Sequence, residues 1–395
     1  MPASPQIETP ATSSAQPDVS LPFTLLCCVP LAAATLWTTF DQPFTFHDFL
    51  GYWTAARLFL AHQNPYSAQN LIALQHSQGW PWPRPLIMLC PPWALPVIAF
   101  LGCFSLSGAR IVWLVLSIFL ASFSAFGLWR YFDGQRSSLW IPAAVFLTFT
   151  PLGTALHMGQ LTPLILASLT AFLLLVKSER WFLAGLTLLG FGLKPHLLWL
   201  VAAAILLWAI RLRRFQLLAG AATAFIAATA AALVIDPPCL QYLHSAYGAA
   251  VDTSCGFGGA LRLLFGARHA WLQYVPCLFG AAWFIGYFGR HRAKWSWPEH
   301  LPLLLIVSVA TSPYCWFHDF ILVLPAFMAL AVHRAYRSIA VLVSWLVVQL
   351  LILLPFAKAE AAALSALWIA FYLFARSECA PSRINGGPAP TPALH

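Results

Sequence analysis

The stretch Arg110–Arg136, "RIVWLVLSIFLASFSAFGLWRYFDGQR", has no charged side chain between Ile111 and Trp129, then closes on a basic cluster. A helix crossing a bilayer needs ~20 apolar residues to cover a hydrocarbon core of ~30 Å, and this run supplies them. Outward from it, apolar runs recur near 21–40, 139–155, 161–176, 181–193, 195–210, 215–235, 270–289, 300–311, 317–332, 338–356 and 360–375. Several are short for a perpendicular span, which suits tilted, broken or protein-shielded helices. The whole chain is 60% hydrophobic and 8% charged, where soluble domains carry ~25% charged residues. Long apolar runs rather than short alternating segments argue against a membrane β-barrel. The expected fold is all-α: a polytopic integral membrane protein of about 12 transmembrane helices, with external interfacial helices.

Basic residues give the expected orientation, because Lys and Arg concentrate in cytoplasmic loops. The clusters are "RYFDGQR" (130–136), "KSER" (177–180), "RLRR" (211–214), "GRHRAK" (289–294), "HRAYR" (333–337) and "AR" (375–376). Two apolar runs separate each from the next, so all fit on the cytoplasmic side. The net charge of +9 is read as topology, not nucleic-acid binding. The stretch 86–105 carries Pro91, Pro92 and Pro96 and is expected to be re-entrant or interfacial, since non-helical backbone at membrane depth must line a cavity or be buried in protein. Residues 1–20 and 377–395 read as disordered tails, the first cytoplasmic. Residues 21–376 form the membrane-embedded part, with long external loops at 41–105 and 236–268. No Lys or Arg precedes the first apolar run, so it reads as a retained span rather than a cleaved leader. Nine cysteines show no zinc-like spacing; Cys239 and Cys255 share one loop and are the one candidate disulfide.

This topology gathers scarce ionisable residues on one face. The chain has 12 acidic residues, yet the tetrapeptide FHDF occurs twice, at Phe46–Phe49 and Phe317–Phe320. Charges near a bilayer are costly and call for a reason. Residues 48–62 read as an amphipathic helix ending at Asn64-Pro65, with Thr45 as N-cap and Asp48 completing a capping box. Helical spacing puts Asp48 with Tyr52, Ala55 and Phe59, and Arg57 opposite. Asp48 thus lacks a helix-local cation and suits proton abstraction from a hydroxyl; a helix-capping role fits it equally. Asp319 caps a helix or serves a site. His318 is a hydrogen-bond donor, or a phosphate ligand when protonated. Lys194 is the only lysine between Lys177 and Lys294; it either snorkels to the interface or neutralises a phosphate. The segment "SCGFGGALRLLFGAR" (254–268) reads as a flexible lid with cationic contacts. No Walker A, GxGxxG or Asp-x-Asp motif is present.

In order along the chain, "HDFLGYWTAARLFLAHQNPY" (47–66), "LCPPWALP" (89–96), "MGQLTPL" (158–164), "GFGLKPH" (190–196) and "SPYCWFHDF" (312–320) resemble glycosyltransferase family 87. These are GT-C enzymes typified by polyprenyl-phosphate-mannose-dependent α-(1→2)-mannosyltransferases. The chain departs from the family pattern at Cys90, where an aromatic residue is common, and at Asp319, where a second histidine is common. The resemblance implies inverting transfer of a hexose, with mannose first in line, from a polyprenyl-phosphate donor to a lipid or glycan acceptor, at the external face of the cytoplasmic membrane. Asp48 matches the general base. His47, Tyr52, Tyr66, Gln160, Lys194, His318 and Asp319 match substrate contacts; no metal, cofactor or nucleic acid is implied. The alternatives are a transporter or flippase for a lipid-linked or amphipathic solute, disfavoured by the lack of repeated halves, and a structural membrane subunit.

Overall fold

The computed structural model describes residues 47–242, 256–266, 268–333, 338–353 and 364–379. The first apolar run at 21–40, the tail at 1–20, Thr45 and Cys255 lie outside the described residues. All regular structure among the described residues is helical. The principal helices are α1 (His47–Leu60), α2 (Ala68–Ser77), α3 (Leu106–Tyr131), α4 (Trp140–Thr148), α5 (Thr150–Met158), α6 (Thr162–Lys177), α7 (Trp181–Thr187), α8 (Trp199–Arg211), α9 (Phe215–Ile235), α10 (Phe257–Phe265), α11 (Val275–His291), α12 (Trp297–Ala310), α13 (Leu324–Val332), α14 (Ile339–Leu353) and α15 (Leu364–Cys379). Helix α15 runs to Cys379, past the expected boundary at 377, and residues 380–395 lie outside the described residues.

Two described helices, α3 and α9, are long and apolar enough to cross a membrane. The run expected as one span at 139–155 is instead two helices, and Arg136–Thr148 and Thr150–Met158 meet at 55°. Phe149 is extended at the junction, and Pro151 opens α5, where its missing N–H costs nothing. The break is satisfied from a distant helix. Gln349 of α14 accepts the Thr150 N–H at 2.9 Å through its side chain and the Thr150 hydroxyl at 3.3 Å through its carbonyl. The other apolar helices are 10–17 residues long. The Pro-rich passage Pro92–Cys103 is among them, and such a length falls short of the ~20 residues of a span.

The apolar side chains that face outward are large. Along α3, Ile111, Val115 and Phe119 are each more than 60% exposed, and their i, i+4, i+8 spacing makes one stripe. Water penalises such a stripe and hydrocarbon does not. Inside, small residues let helices touch. A Cβ on Gly185 would lie 2.1 Å from the Leu217 carbonyl oxygen, and one on Gly220 2.1 Å from that of Phe182. Helices α7 and α9 therefore cross backbone to backbone, in the manner of small-residue crossings in membranes.

Three of the basic clusters meet at one end of the bundle. Lys177 pairs with Asp133 at 2.6 Å, and Arg214 lies 4.2 Å from the Trp181 ring centroid. The opposite end of α6, ~24 Å away at 1.5 Å per residue, opens onto the cavity described next.

Candidate functional site

Helix α1 carries the first FHDF carboxylate. By sequence it is an amphipathic helix lying at an interface. It is instead enclosed: Phe49, Leu50, Trp53, Ala55, Ala56, Leu58 and Phe59 are all buried. The enclosure is close, since a Cβ on Gly102 would lie 2.8 Å from the Ala56 carbonyl oxygen. The helix stops at Leu60, before the expected Asn64-Pro65, where His62 turns to a φ of 57°. Arg57 points away and donates to the Gly102 carbonyl at 2.7 Å. Asp48, in the first turn, is favoured by the positive end of the helix dipole.

The MGQ segment supplies the partner of Asp48. Helix α5 ends in Gly159, whose left-handed φ of 65° a residue without Cβ adopts without strain. The Gly159 carbonyl accepts from the Trp113 indole at 3.0 Å. That turn delivers Gln160, 2% exposed, whose side-chain N–H donates to Asp48 Oδ2. Asp48 is therefore not the unpaired carboxylate expected from α1 alone. Gln160 Oε1 in turn accepts from the Tyr52 hydroxyl at 3.1 Å and from Lys194 Nζ at 2.9 Å.

Lys194 follows directly on the 3-10 turns Leu188–Leu193, with its backbone out of the helical region. Two glycines set it there. A Cβ on Gly190 would lie 2.0 Å from Ser168 Oγ, and the Gly192 carbonyl accepts from the Trp93 indole at 2.9 Å. The Lys194 side chain is 12% exposed, and its ammonium pairs with Asp319 Oδ1 at 2.8 Å. It is held inside the protein rather than snorkelling. The other oxygen, Asp319 Oδ2, accepts the Trp316 N–H at 2.9 Å and caps the 3-10 helix Phe317–Val323. Asp319 thus both caps and pairs.

Asp48, Tyr52, Gln160, Lys194 and His318 all line one open cavity of about 510 Å³, within the ~300–1,000 Å³ usual for ligand sites. Leu86, Ile87, Leu89, Cys90, Met158, Leu193, Trp316 and Phe317 give it a largely apolar wall. His318 is 4% exposed; its Nε2 stands 3.6 Å from Asp319 Oδ1, and both ring nitrogens are without a hydrogen-bond partner. All five motifs of the sequence therefore contribute to this one wall, although they span more than 250 residues.

Several expectations are corrected. Tyr66 does not line the cavity. It is 2% exposed, its hydroxyl is committed to the Cys90 carbonyl at 2.8 Å, and its ring lies 5.2 Å from that of Tyr242. It braces the Pro-Pro segment from behind. The expected lid is in part the helix α10, and Gly258 seats it on residues 270–274, where an added Cβ would lie 2.6 Å from the Gln273 carbonyl oxygen. Its Arg262 donates to Gln273 at 3.1 Å and lines no part of the cavity. The side chain of His47 lies outside those described. Cys239 is buried.

His196 was not among the candidate contacts, yet it lines the cavity. Its ring packs against Tyr314 with centroids 3.8 Å apart, and its Nε2 is shut from solvent with no partner. The sequence signal was the Lys-Pro-His break itself, a polar interruption between two apolar runs. Among the described residues no group of three or more His, Cys, Asp or Glu side chains is placed to hold a metal ion. No family model, curated protein or solved structure matches this chain.

Proposed function

We propose that the chain is an integral-membrane glycosyltransferase that moves a hexose, mannose first in line, from a polyprenyl-phosphate donor to a hydroxyl of a lipid or glycan acceptor. The observation that carries this reading is Asp48: a carboxylate on the wall of a ligand-sized cavity, held by a neutral amide rather than by a cation. A neutral partner orients the carboxylate and leaves its remaining lone pairs open for a proton.

The chemistry is a single displacement. The acceptor oxygen attacks the anomeric carbon as Asp48 takes its proton. The bond from that carbon to the phosphate oxygen breaks, and the electron pair leaves on the phosphate. Phosphate departs without an acid, so one base suffices, unlike a hydrolase with its two carboxylates. Donors aimed at the departing oxygen favour the transition state; the His318 ring, whose nitrogens have no hydrogen-bond partner, is the group at hand. The apolar wall suits a prenyl chain, and Trp316 and Phe317 bring aromatic side chains to the lining where a sugar would sit.

The same proposal includes about 12 crossings, with the basic clusters cytoplasmic and the cavity on the external face of the cytoplasmic membrane. The opposed positions of cavity and basic clusters along α6 support it. The test is the purified full-length protein in lipid, given radiolabelled polyprenyl-phosphate mannose and a panel of membrane acceptors. Labelled product supports the reading. Movement of the donor between leaflets with no product overturns it in favour of a flippase.

A further inference from the structure

Asp319, Lys194, Gln160 and Asp48 form an unbroken hydrogen-bonded line between the two FHDF segments. On the reading that Asp48 is the base, we propose that Lys194 and Asp319 are positioning residues for Asp48, and that holding the amide of Gln160 in one orientation is how they act. In this account Lys194 is not the principal cation of the donor phosphate.

The argument starts from Gln160. Its Oε1 faces two groups that both donate. The ammonium of Lys194 has no lone pair. Burial holds the Tyr52 hydroxyl well above its ordinary pKa, so it keeps its proton. Flipping the amide would set an NH₂ group against both donors. The N–H is therefore forced toward Asp48, and Asp48 is forced to accept. Without Lys194 only the Tyr52 hydroxyl enforces that choice, at 3.1 Å.

Lys194 in turn is fixed by Asp319. The Asp319 side chain is 1% exposed and meets the ammonium at 2.8 Å, while its second oxygen is anchored to the Trp316 backbone. Ammonium and carboxylate cancel within the wall, so the pair brings orientation but little net attraction for an anion. Removing one member of a buried pair strands the other charge, whereas removing both does not. This asymmetry separates a positioning pair from a phosphate clamp.

The experiment uses full-length Lys194→Met, Asp319→Asn, the double variant and Gln160→Met in lipid nanodiscs. Radiolabelled polyprenyl-phosphate mannose is the donor, and kcat, donor KM and Tm are read separately. Misplacement of a base by ~1 Å costs on the order of 10²-fold, so each single variant should lose kcat on that scale with donor KM nearly unchanged. Gln160→Met should match Lys194→Met, and combining the two should add little. The double Lys194→Met/Asp319→Asn variant should lose less Tm than the two single losses added together. A donor KM raised more than tenfold in Lys194→Met with kcat intact would make Lys194 a phosphate ligand and overturn the proposal. So would additive Tm losses. If neither single variant folds, a folded double variant supports the pair and an unfolded one overturns it. A wild-type chain that transfers no sugar defeats the glycosyltransferase reading, while the Tm comparison still decides the coupling.

Discussion

Asp48→Asn separates the chemistry of the site from its architecture. The substitution keeps the size of the side chain and an oxygen able to accept from Gln160 Nε2. The contact changes from a hydrogen bond to a charged acceptor, worth ~1.5–3 kcal/mol, to a neutral one of ~0.5–1.5. The first-turn charge on α1 adds ~0.3–1 kcal/mol from the helix dipole. The expected loss of stability is therefore about 1.3–2.5 kcal/mol, spread over a helix that is otherwise enclosed by apolar packing. Loss of a positioned base costs a factor on the order of 10²–10⁴ in rate, which at 1.36 kcal/mol per tenfold is about 2.7–5.4 kcal/mol of barrier. Turnover should thus fall far more than stability. Single-turnover transfer of labelled sugar at saturating donor measures the first, and thermal unfolding in the same lipid measures the second. Turnover within tenfold of wild type, with Tm lowered by a few degrees, would reduce Asp48 to a helix-dipole partner and refute its role as base.

Other outcomes follow from particular contacts. Tyr66→Phe removes the hydroxyl bonded to the Cys90 carbonyl, leaving a buried acceptor unpaired at about 1–3 kcal/mol; Tm should fall while kcat changes little, and a collapse of kcat at unchanged Tm would return Tyr66 to the substrate contacts. Gly220→Ala forces a Cβ against the Phe182 carbonyl oxygen at 2.1 Å, and overpacking of this kind costs about 1–3 kcal/mol; an unchanged Tm would show that α7 and α9 do not cross as described. Single-cysteine labelling in a cysteine-free chain tests the topology. Position 82, an exposed tryptophan, should label from outside intact cells and position 213 should not; the reverse pattern would invert the proposed orientation.

The local sequence was enough to find the two long apolar helices. Runs such as Ile111–Trp129 and Phe215–Ile235 carry their own signal, because apolar length and the absence of charge are properties of consecutive residues. Helix stops were half visible. The run 139–155 reads as a single span, and its 55° bend meets Gln349, a residue 199 positions from Thr150. The amphipathic reading of residues 48–62 failed because two polar residues on a helix surface say nothing about what packs over the rest. The five motifs also pointed to Asp48, Tyr52, Gln160, Lys194 and His318 of the cavity wall, with Tyr66 and Asp319 set behind it and His196 overlooked, since side-chain type and loop position reveal chemistry without neighbours. Only the tertiary structure decided which side chains touch. Asp48 meets Gln160 across 112 positions and Lys194 meets Asp319 across 125. Periodicity has a reach of a few residues, whereas a buried charge takes its partner from whichever segment the packing of distant helices brings within 3 Å.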